Sequence, residues 1–343
     1  MTKRKSGNTA IRYKDGFTAP FRSKKAMNEP NAPADDIEWP TWLLWAVILM
    51  GWALLVGSYG SIPAWVFTPL LVLLLAWYMS FQHELTHGHP TRNETINRLI
   101  GLPPLAVWYP FDTYKKDHLK HHDDVHLTEP GVDTESNYIT PEQAATMGPV
   151  ALWIYKSQRT VLGRFFIGPA IVNISLWTRL ARSLRRGERD ELQVWSLHLP
   201  LVAFLLWLLD RYTLVSVWHY CFGIAYPALG LAMLRSLYEH RPGTLPAHRT
   251  VINEAALPWR LLYLNNNYHV VHHAYPGVQW YKIPALYRAD RAAYQLRNGG
   301  FVLPGYLYLI RTFAVKPVDD PVLALPATAP PRAASPTHHC AHS

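Results

Sequence analysis

The feature that most constrains the fold of this chain is a long stretch without charge. No Asp, Glu, Lys or Arg lies between Trp39 and His83, and the stretch is interrupted only by GSYGSIP near its middle. A helix needs about 20 apolar residues to cross the hydrocarbon core of a bilayer. The stretch therefore predicts two membrane-spanning helices, over residues 39–57 and 62–83, joined by a tight turn. The mean hydropathy of -0.05 hides this pattern because the apolar residues are concentrated in blocks.

A second pair of apolar runs follows further along the chain. The runs Leu192–Leu209 and Tyr212–Leu234 carry no charge and are separated only by Asp210 and Arg211. They predict a third and a fourth span, joined by a short hairpin at the two charged residues. We therefore expect an all-α integral membrane protein with about four transmembrane helices in two hairpins. The polar segments between and after the hairpins would form a helical cap.

The basic residues lie almost entirely on one side of this predicted topology. Of the 33 Lys and Arg residues, only Arg211 falls in a hairpin tip, and the others flank the spans on the opposite side. This distribution follows the positive-inside rule and predicts that both termini and the helical cap are cytoplasmic. A net charge of +9 could also indicate a nucleic-acid-binding protein. Because the basic residues flank spans and do not form one basic domain, no nucleic-acid partner is expected.

Composition divides the chain into three regions. Residues 1–38 are polar and predict a cytoplasmic N-terminal arm, residues 39–317 hold the membrane domain, and residues 318–343, rich in Ala and Pro, predict a disordered tail. Within the membrane domain, residues 150–189 mix apolar pairs with arginines. That mixture favours helices lying on an anionic membrane surface over a purely soluble amphipathic helix.

Three histidine clusters carry the chemistry of the sequence. They are HELTHGHP from His83, KKDHLKHHDD from Lys115, and NNNYHVVHHAYP from Asn265. Each predicted hairpin returns the chain to the side from which it entered. All three clusters therefore lie on the same side of the membrane and can converge.

The spacing within each cluster places the imidazoles on one face of a helix, because the histidines are three or four residues apart. Imidazole is a common ligand of transition metals, and an all-nitrogen set suits iron, copper, zinc or nickel better than magnesium or calcium. Eight ligands exceed what one ion holds, so two metals are predicted. One such motif alone could be a chance surface feature, whereas three on one side of a membrane favour a metal site. The candidate ligands are His83, His87, His118, His121, His122, His269, His272 and His273.

The remaining histidines are assigned lesser roles. His198 and His219 lie inside predicted spans, where interhelical hydrogen bonding accounts for them. His126 follows His122 by four residues and could compete with it as a ligand.

The motifs HELTH, HLKHH and HVVHH resemble, in order and in position relative to the spans, the three histidine boxes of the membrane fatty acid desaturase and hydroxylase superfamily. The resemblance covers residues 39–284 and is closest to bacterial-type members, which implies a bacterial inner membrane. It implies two iron ions bound by the box histidines, with dioxygen as co-substrate. It also implies a ninth ligand after the fourth span, and RSLYEH supplies His240 at that place. Ser236 stands where some relatives have a polar residue near the iron.

Four carboxylates lie within two residues of a proposed ligand and could accept hydrogen bonds from the imidazole N–H groups that do not face metal. An exposed, solvated position is the alternative for each of them. They are Asp117, Asp123, Asp124 and Glu239.

The resemblance implies an oxygen-dependent oxidase that acts on a lipid acyl chain, and desaturation is the leading interpretation. Hydroxylation or ketolation of an alkyl chain, a lipid or a carotenoid by the same di-iron site stays open. The sequence shows no nicotinamide, flavin or haem fingerprint, so an external electron donor such as a ferredoxin, a rubredoxin or a haem protein is expected. A histidine-rich metal transporter would need ionisable residues along its spans, and the predicted spans offer only His198 and His219.

Overall fold

The computed structural model describes residues 37–122 and 124–324, with the exception of the side chain of Asp124. The first two helices, α1 (Trp39–Gly57) and α2 (Ala64–Thr86), form an antiparallel hairpin of two candidate membrane spans. Proline near the start of α1 and just before α2 suits helix N-termini, where no backbone N–H is needed. Along α2, Phe67, Leu71 and Leu75 recur every four residues and form a fully buried stripe in the hydrophobic core that the candidate spans share.

Six helices connect the second span to the third. The second histidine box lies at the end of α4 (Phe111–His121), and a 3-10 turn occurs at Asp124–His126. Gly187 caps α8 (Gly168–Arg186) with a left-handed φ of 66°, a conformation that residues with a side chain rarely adopt. The connecting helices are α3 (Glu94–Gly101), α4 (Phe111–His121), α5 (Pro141–Thr146), α6 (Pro149–Ser157), α7 (Val161–Phe166) and α8 (Gly168–Arg186).

The second pair of spans begins and ends a few residues from where the charge pattern puts it. The third span is α9 (Arg189–Tyr212), with acidic residues in its first turn and Arg211 in its last, both favourable for the helix dipole. Asp210 and Arg211 therefore end a helix, and the turn lies at residues 213–216. The fourth span starts as a π-helical segment, His219–Ala225, and continues as α10 (Tyr226–Arg235).

The region after the fourth span consists of short elements that enclose the third histidine box. A two-stranded parallel sheet, β1 (Ile252–Asn253) with β2 (Val302–Leu303), ties the two ends of this region together. 3-10 turns occur at Ser236–Tyr238 and Pro246–Arg249. The helices are α11 (Leu257–Leu262), α12 (His269–Ala274), α13 (Ile283–Ala289), α14 (Arg291–Arg297) and α15 (Tyr306–Phe313).

The end of the described chain is packed and bonded where composition predicts disorder. The C-terminal strap, residues 314–324, crosses the segment that precedes and includes α7. Val318 N–H donates to the Arg159 carbonyl, and Leu323 N–H donates to that of Ile139. The disorder predicted from residue 318 onward therefore does not extend to residues 318–324. Composition cannot predict this packing, because it depends on the ion pair between Asp319 and the buried Arg159. The predicted arm over residues 1–36 and the rest of the tail lie outside the described residues.

The expected fold class is confirmed: the described chain is mainly helical and has four candidate spans. The last turn of α2, α4, α12 and the turn after α10 meet at one end of the helix bundle, which is the convergence that two hairpins permit. Which side of the membrane this end faces stays a prediction.

Candidate metal centre

Nine histidines from four separate parts of the chain meet at this end of the bundle. His83 lies in the last turn of α2 and His87 caps it, so both point from the end of one span. Box two contributes the last turn of α4, box three contributes α12, and His240 follows the 3-10 turn after α10. All nine side chains are buried or half-buried.

The first histidine group contains members of all three boxes. The Nε2 atoms of His87 and His118 lie 2.9 Å apart, and the Nε2 atom of His122 is 3.1 Å from those of both His118 and His272. One nitrogen each of His83, His87, His118 and His272 lie within 4.8 Å of one another. We call these four residues, together with His122, the first histidine group.

The second histidine group is built around His240. Its Nε2 atom is 3.0 Å from the Nε2 atoms of both His121 and His269, and the Nε2 atom of His273 lies 3.1 Å from that of His269. These four residues also have a nitrogen each within 4.8 Å of one another. The groups adjoin, since the rings of His122 and His273 stack with centroids 4.4 Å apart.

The spacing of the nitrogens fits metal ligation. For metal–nitrogen bonds of about 2.1 Å, two ligands at a right angle place their nitrogens about 3.0 Å apart, which matches the Nε2 separations of both groups. Ligation also needs neutral imidazole. Burial lowers the pKa of His122 to about 2 and that of His240 to about 3. Each group can therefore hold one metal ion.

Two carboxylates after α4 orient the box-two rings. His121 donates its Nδ1–H to Asp133 at 2.8 Å, and His118 donates its Nδ1–H to Glu135 at 2.9 Å. Burial alone would lower the pKa of His121, but Glu135 and Asp133 outweigh it and raise that pKa to about 9. Each hydrogen bond holds a proton on Nδ1 and directs Nε2 into the site. Because its raised pKa keeps the His121 ring protonated on both nitrogens near neutral pH, a metal bound at His121 must displace the Nε2 proton.

Asn266 connects the two histidine groups. It accepts a hydrogen bond from Nδ1 of His269 at 2.8 Å and donates one to Nε2 of His83 at 3.1 Å. The backbone is left-handed just before it, with φ of 47° at Leu264 and 58° at Asn265. For a non-glycine residue this conformation costs energy, and it reverses the chain so that Asn266 and α12 face the end of α2. His83 also donates from Nδ1 to Glu84 at 3.1 Å, so both of its ring nitrogens have protein partners.

His240 is held through its backbone and through its ring, whose Nδ1 atom lies 3.5 Å from Thr250 Oγ1. Its carbonyl oxygen lies 3.3 Å from Tyr138 Oη, and its backbone forms an isolated bridge with Thr250. The neighbouring Glu239 is buried beside Arg235, with an Oε1–Nη1 distance of 3.1 Å. Burial raises the pKa of Glu239 to about 6 against the opposing effect of Arg235.

Of the carboxylates named from the sequence, only Glu239 lies near a ligand ring in the described residues, 3.6 Å from Nδ1 of His269. Asp117 instead accepts hydrogen bonds from Arg179 at 2.8 Å and Tyr109 at 3.2 Å. The hydroxyl of Ser236 donates to the Met233 carbonyl. Asp123 and the side chain of Asp124 lie outside the described residues.

Sequence proximity missed Asp133, Glu135 and Asn266. The first two lie 12 and 17 residues from their histidine partners and are brought back by the turn that follows α4, where Thr128 and Glu135 N–H groups donate to Asp133. Asn266 could have been found from the NNN run immediately before the third box.

Three further histidines of the described chain lie apart from both groups. His126 is partly exposed and bonds to Glu129, His198 bonds to the Val107 carbonyl, and His219 contacts Tyr59 and Thr68. His126 therefore does not compete with His122 for the first histidine group.

The comparison with known families agrees with this arrangement. The model of the family described as fatty acid desaturase matches residues 59–303, which is well over half of the chain and contains all nine histidines. No curated protein matches the chain. The chain therefore belongs to the fatty acid desaturase family, whose membership implies oxidoreductase activity.

Proposed function

We propose that this protein is an oxygen-dependent di-iron membrane oxidase that desaturates a lipid acyl chain. The observation that carries the proposal is the pair of adjoining histidine groups, with Nε2 atoms converging at about 3 Å, at the end of four candidate spans. Family membership supports the reaction class. The spans support a substrate that partitions into the bilayer.

Iron is the proposed metal because an oxidase needs a redox-active ion and zinc is redox-inert. Two bound iron ions would supply the oxidant, made from dioxygen, that removes hydrogen from an unactivated methylene, a step beyond side-chain acids and bases. The first histidine group would hold one ion, and the second histidine group the other. Asp133, Glu135 and Asn266 would keep the Nε2 atoms of the histidines whose Nδ1–H they accept aimed at the ions, and burial of the site would exclude water. A metal bound at Nε2 of His83 would replace the hydrogen bond that Asn266 donates to it.

Electrons would come from a separate acidic donor protein such as a ferredoxin, a rubredoxin or a haem protein. The helix α4 carries two of the proposed ligands and is capped by a third, while Lys116, Leu119 and Lys120 on its other side are exposed. A helix with its side chains is about 10–12 Å across, so a donor bound to this face would be separated from the metals by about one helix diameter. Basic side chains around an apolar one suit an acidic partner.

The proposed location is the inner membrane of a bacterium, with the metal site and both termini in the cytoplasm. The bias of Lys and Arg toward the metal-site end of the spans supports this orientation. A soluble electron donor would then reach α4 directly.

Lipid mass spectrometry on a host that expresses the chain tests the reaction. We expect acyl chains lighter by two hydrogens with the intact protein and not with His272→Ala, because His272 belongs to the first histidine group. His126→Ala is the matched control, since that ring is partly exposed and lies outside both groups, and it should retain full activity. Chains heavier by one oxygen would reassign the protein as a hydroxylase. Normal desaturation by His272→Ala would disprove the metal assignment.

Iron content of the purified protein tests the ninth ligand separately from the reaction. His240→Ala should lose the iron of the second histidine group, because Nε2 of His240 lies 3.0 Å from Nε2 of both His121 and His269. The first histidine group should keep part of its iron. A variant with its full iron complement would exclude His240 as a ligand.

A further inference from the structure

The helix α8, which leads into the third span, has one face packed and the other open. Leu176, Leu180 and Ser183 are buried against the body of the protein. The opposite face is open and forms a shallow groove that is lined by residues of α8 alone.

The side chains that line the groove change from apolar to basic along the helix. Ile174 and Trp177 line its first half, and Arg182 and Arg185 line its second half. All four side chains are exposed. The ring of Trp177 is fixed against Trp195 of α9, with centroids 4.7 Å apart, so the apolar half is a preformed surface.

Neither groove arginine forms a close ion pair with a carboxylate in the part of the chain that the structure describes, although the charge of Arg182 contributes to lowering the pKa of Glu188. Arg182 donates only to the carbonyl of Thr178 in its own helix. The nearby Glu188 bonds to Ser183 and lies 3.6 Å from Arg186. The guanidinium groups of Arg182 and Arg185 are therefore available to a ligand, and guanidinium binds phosphate through paired N–H donors.

The position of the groove along the membrane normal adds a second argument. Gly187 ends α8, and α9 begins at Arg189, with its apolar stretch starting at Leu192. The arginine half of the groove thus lies where the third span meets the headgroup layer. Tryptophan is enriched at this level of a bilayer, and basic residues here attract anionic lipids.

We propose that the α8 groove binds the headgroup of an anionic membrane phospholipid. The phosphate lies against Arg182 and Arg185, and the glycerol and upper acyl carbons lie along Trp177 and Ile174. The site is separate from the metal centre and does not depend on the reaction that the centre performs.

Native mass spectrometry of the full chain in detergent tests the site. The protein is incubated with an equal mixture of phosphatidylglycerol and phosphatidylcholine, and the retained lipid is identified. We expect the native sequence to retain phosphatidylglycerol preferentially. Each of Arg182→Gln and Arg185→Gln should weaken that retention about 5-fold, and the double variant should show no preference.

Arg297→Gln is the matched control, because Arg297 is also exposed but lies on α14, outside the groove. It should retain lipid as the native sequence does. Unchanged iron content and elution volume show that the groove variants are folded. Trp177→Ala should weaken retention of both lipids, since it removes the apolar half.

Two results would overturn the proposal. One is equal retention of phosphatidylglycerol by the double variant and the native sequence. The other is displacement of the lipid by glycerol phosphate at a concentration equal to that of the lipid, which would show that the groove recognises a small soluble phosphate and not a membrane lipid.

Discussion

At the scale of single residues, the carboxylates that bond to the histidines would determine how well the proposed ligands bind metal. Asp133 is buried and accepts both from His121 and from two backbone N–H groups. It is therefore fixed in position and fixes the imidazole in turn. Outer partners of this kind set the tautomer and the direction of a ligand lone pair.

We predict that Asp133→Asn will weaken metal binding by about 10–100-fold. The amide can no longer favour a proton on Nδ1 of His121, so Nε2 is not reliably free for the metal. Iron retained during titration with a chelator measures the effect. Asp112→Asn on α4 is the control, because Asp112 pairs with the exposed Arg98 away from the site. Equal chelator resistance of the two variants would contradict the orienting role of Asp133.

The residue scale also shows what the sequence could not supply. The spacing in the three boxes is local, and the structure brings all nine predicted ligands together, although their ligation stays a prediction. The partners are not local. Asp117 is adjacent to His118 and yet points to Arg179, because the next residue on a helix faces another direction. Glu135 reaches His118 only through a turn of the chain that no periodicity encodes.

At the scale of elements, the C-terminal strap supports the second histidine group from outside. Asp319 binds the fully buried Arg159, with an Nη2–Oδ1 distance of 2.6 Å, and accepts a hydrogen bond from Tyr138. Tyr138 in turn contacts the His240 carbonyl. Three segments distant in sequence are therefore joined through one carboxylate.

Asp319→Ala should lower the free energy of unfolding by about 3 kcal/mol, because it leaves the Arg159 guanidinium buried without a counter-charge. A thermal melt in detergent measures the change. The adjacent Asp320 offers a matched control: it pairs with Lys156 at 3.0 Å, both side chains are largely exposed, and its replacement should cost about 0.5 kcal/mol or less. Similar melting temperatures for the two variants would show that the strap does not anchor the fold.

The exposed face of α4 supports a second prediction at this scale. Lys116→Glu combined with Lys120→Glu should raise the KM for an acidic electron donor about tenfold and weaken its dependence on ionic strength, because the steering charge is reversed. Iron content should stay unchanged, since both side chains point away from the ligands. Arg297→Glu, on a helix without candidate ligands, should leave the KM unaltered. A normal KM in the α4 variant would place the donor elsewhere.

At the scale of the whole molecule, the apolar runs predict the four spans because burial in lipid requires an almost uninterrupted apolar sequence. The same rule misplaces their ends. Asp210 and Arg211 belong to the last turn of α9, where charge is compatible with a helix end at the membrane boundary. The strap was also missed, because pairing between Asp319 and Arg159 depends on contacts that only the folded chain creates.

The metal centre joins α2, α4, α12 and the turn after α10, so its occupancy should control the stability of the whole protein. Without metal, Nε2 atoms about 3 Å apart would face each other with few other partners, and buried polar atoms left unpaired cost free energy. Metal that binds only the folded state stabilises it by about 4 kcal/mol at 1,000 times its dissociation constant.

We therefore expect removal of iron by a chelator to lower the melting temperature by about 10 °C, and ferrous iron to restore it. In His272→Ala the first histidine group already lacks one proposed ligand, so the chelator should lower the melting temperature of this variant by less. A melting temperature that does not respond to chelator in protein shown to have lost its iron would mean that the histidines satisfy one another, and that the spans alone hold the bundle together.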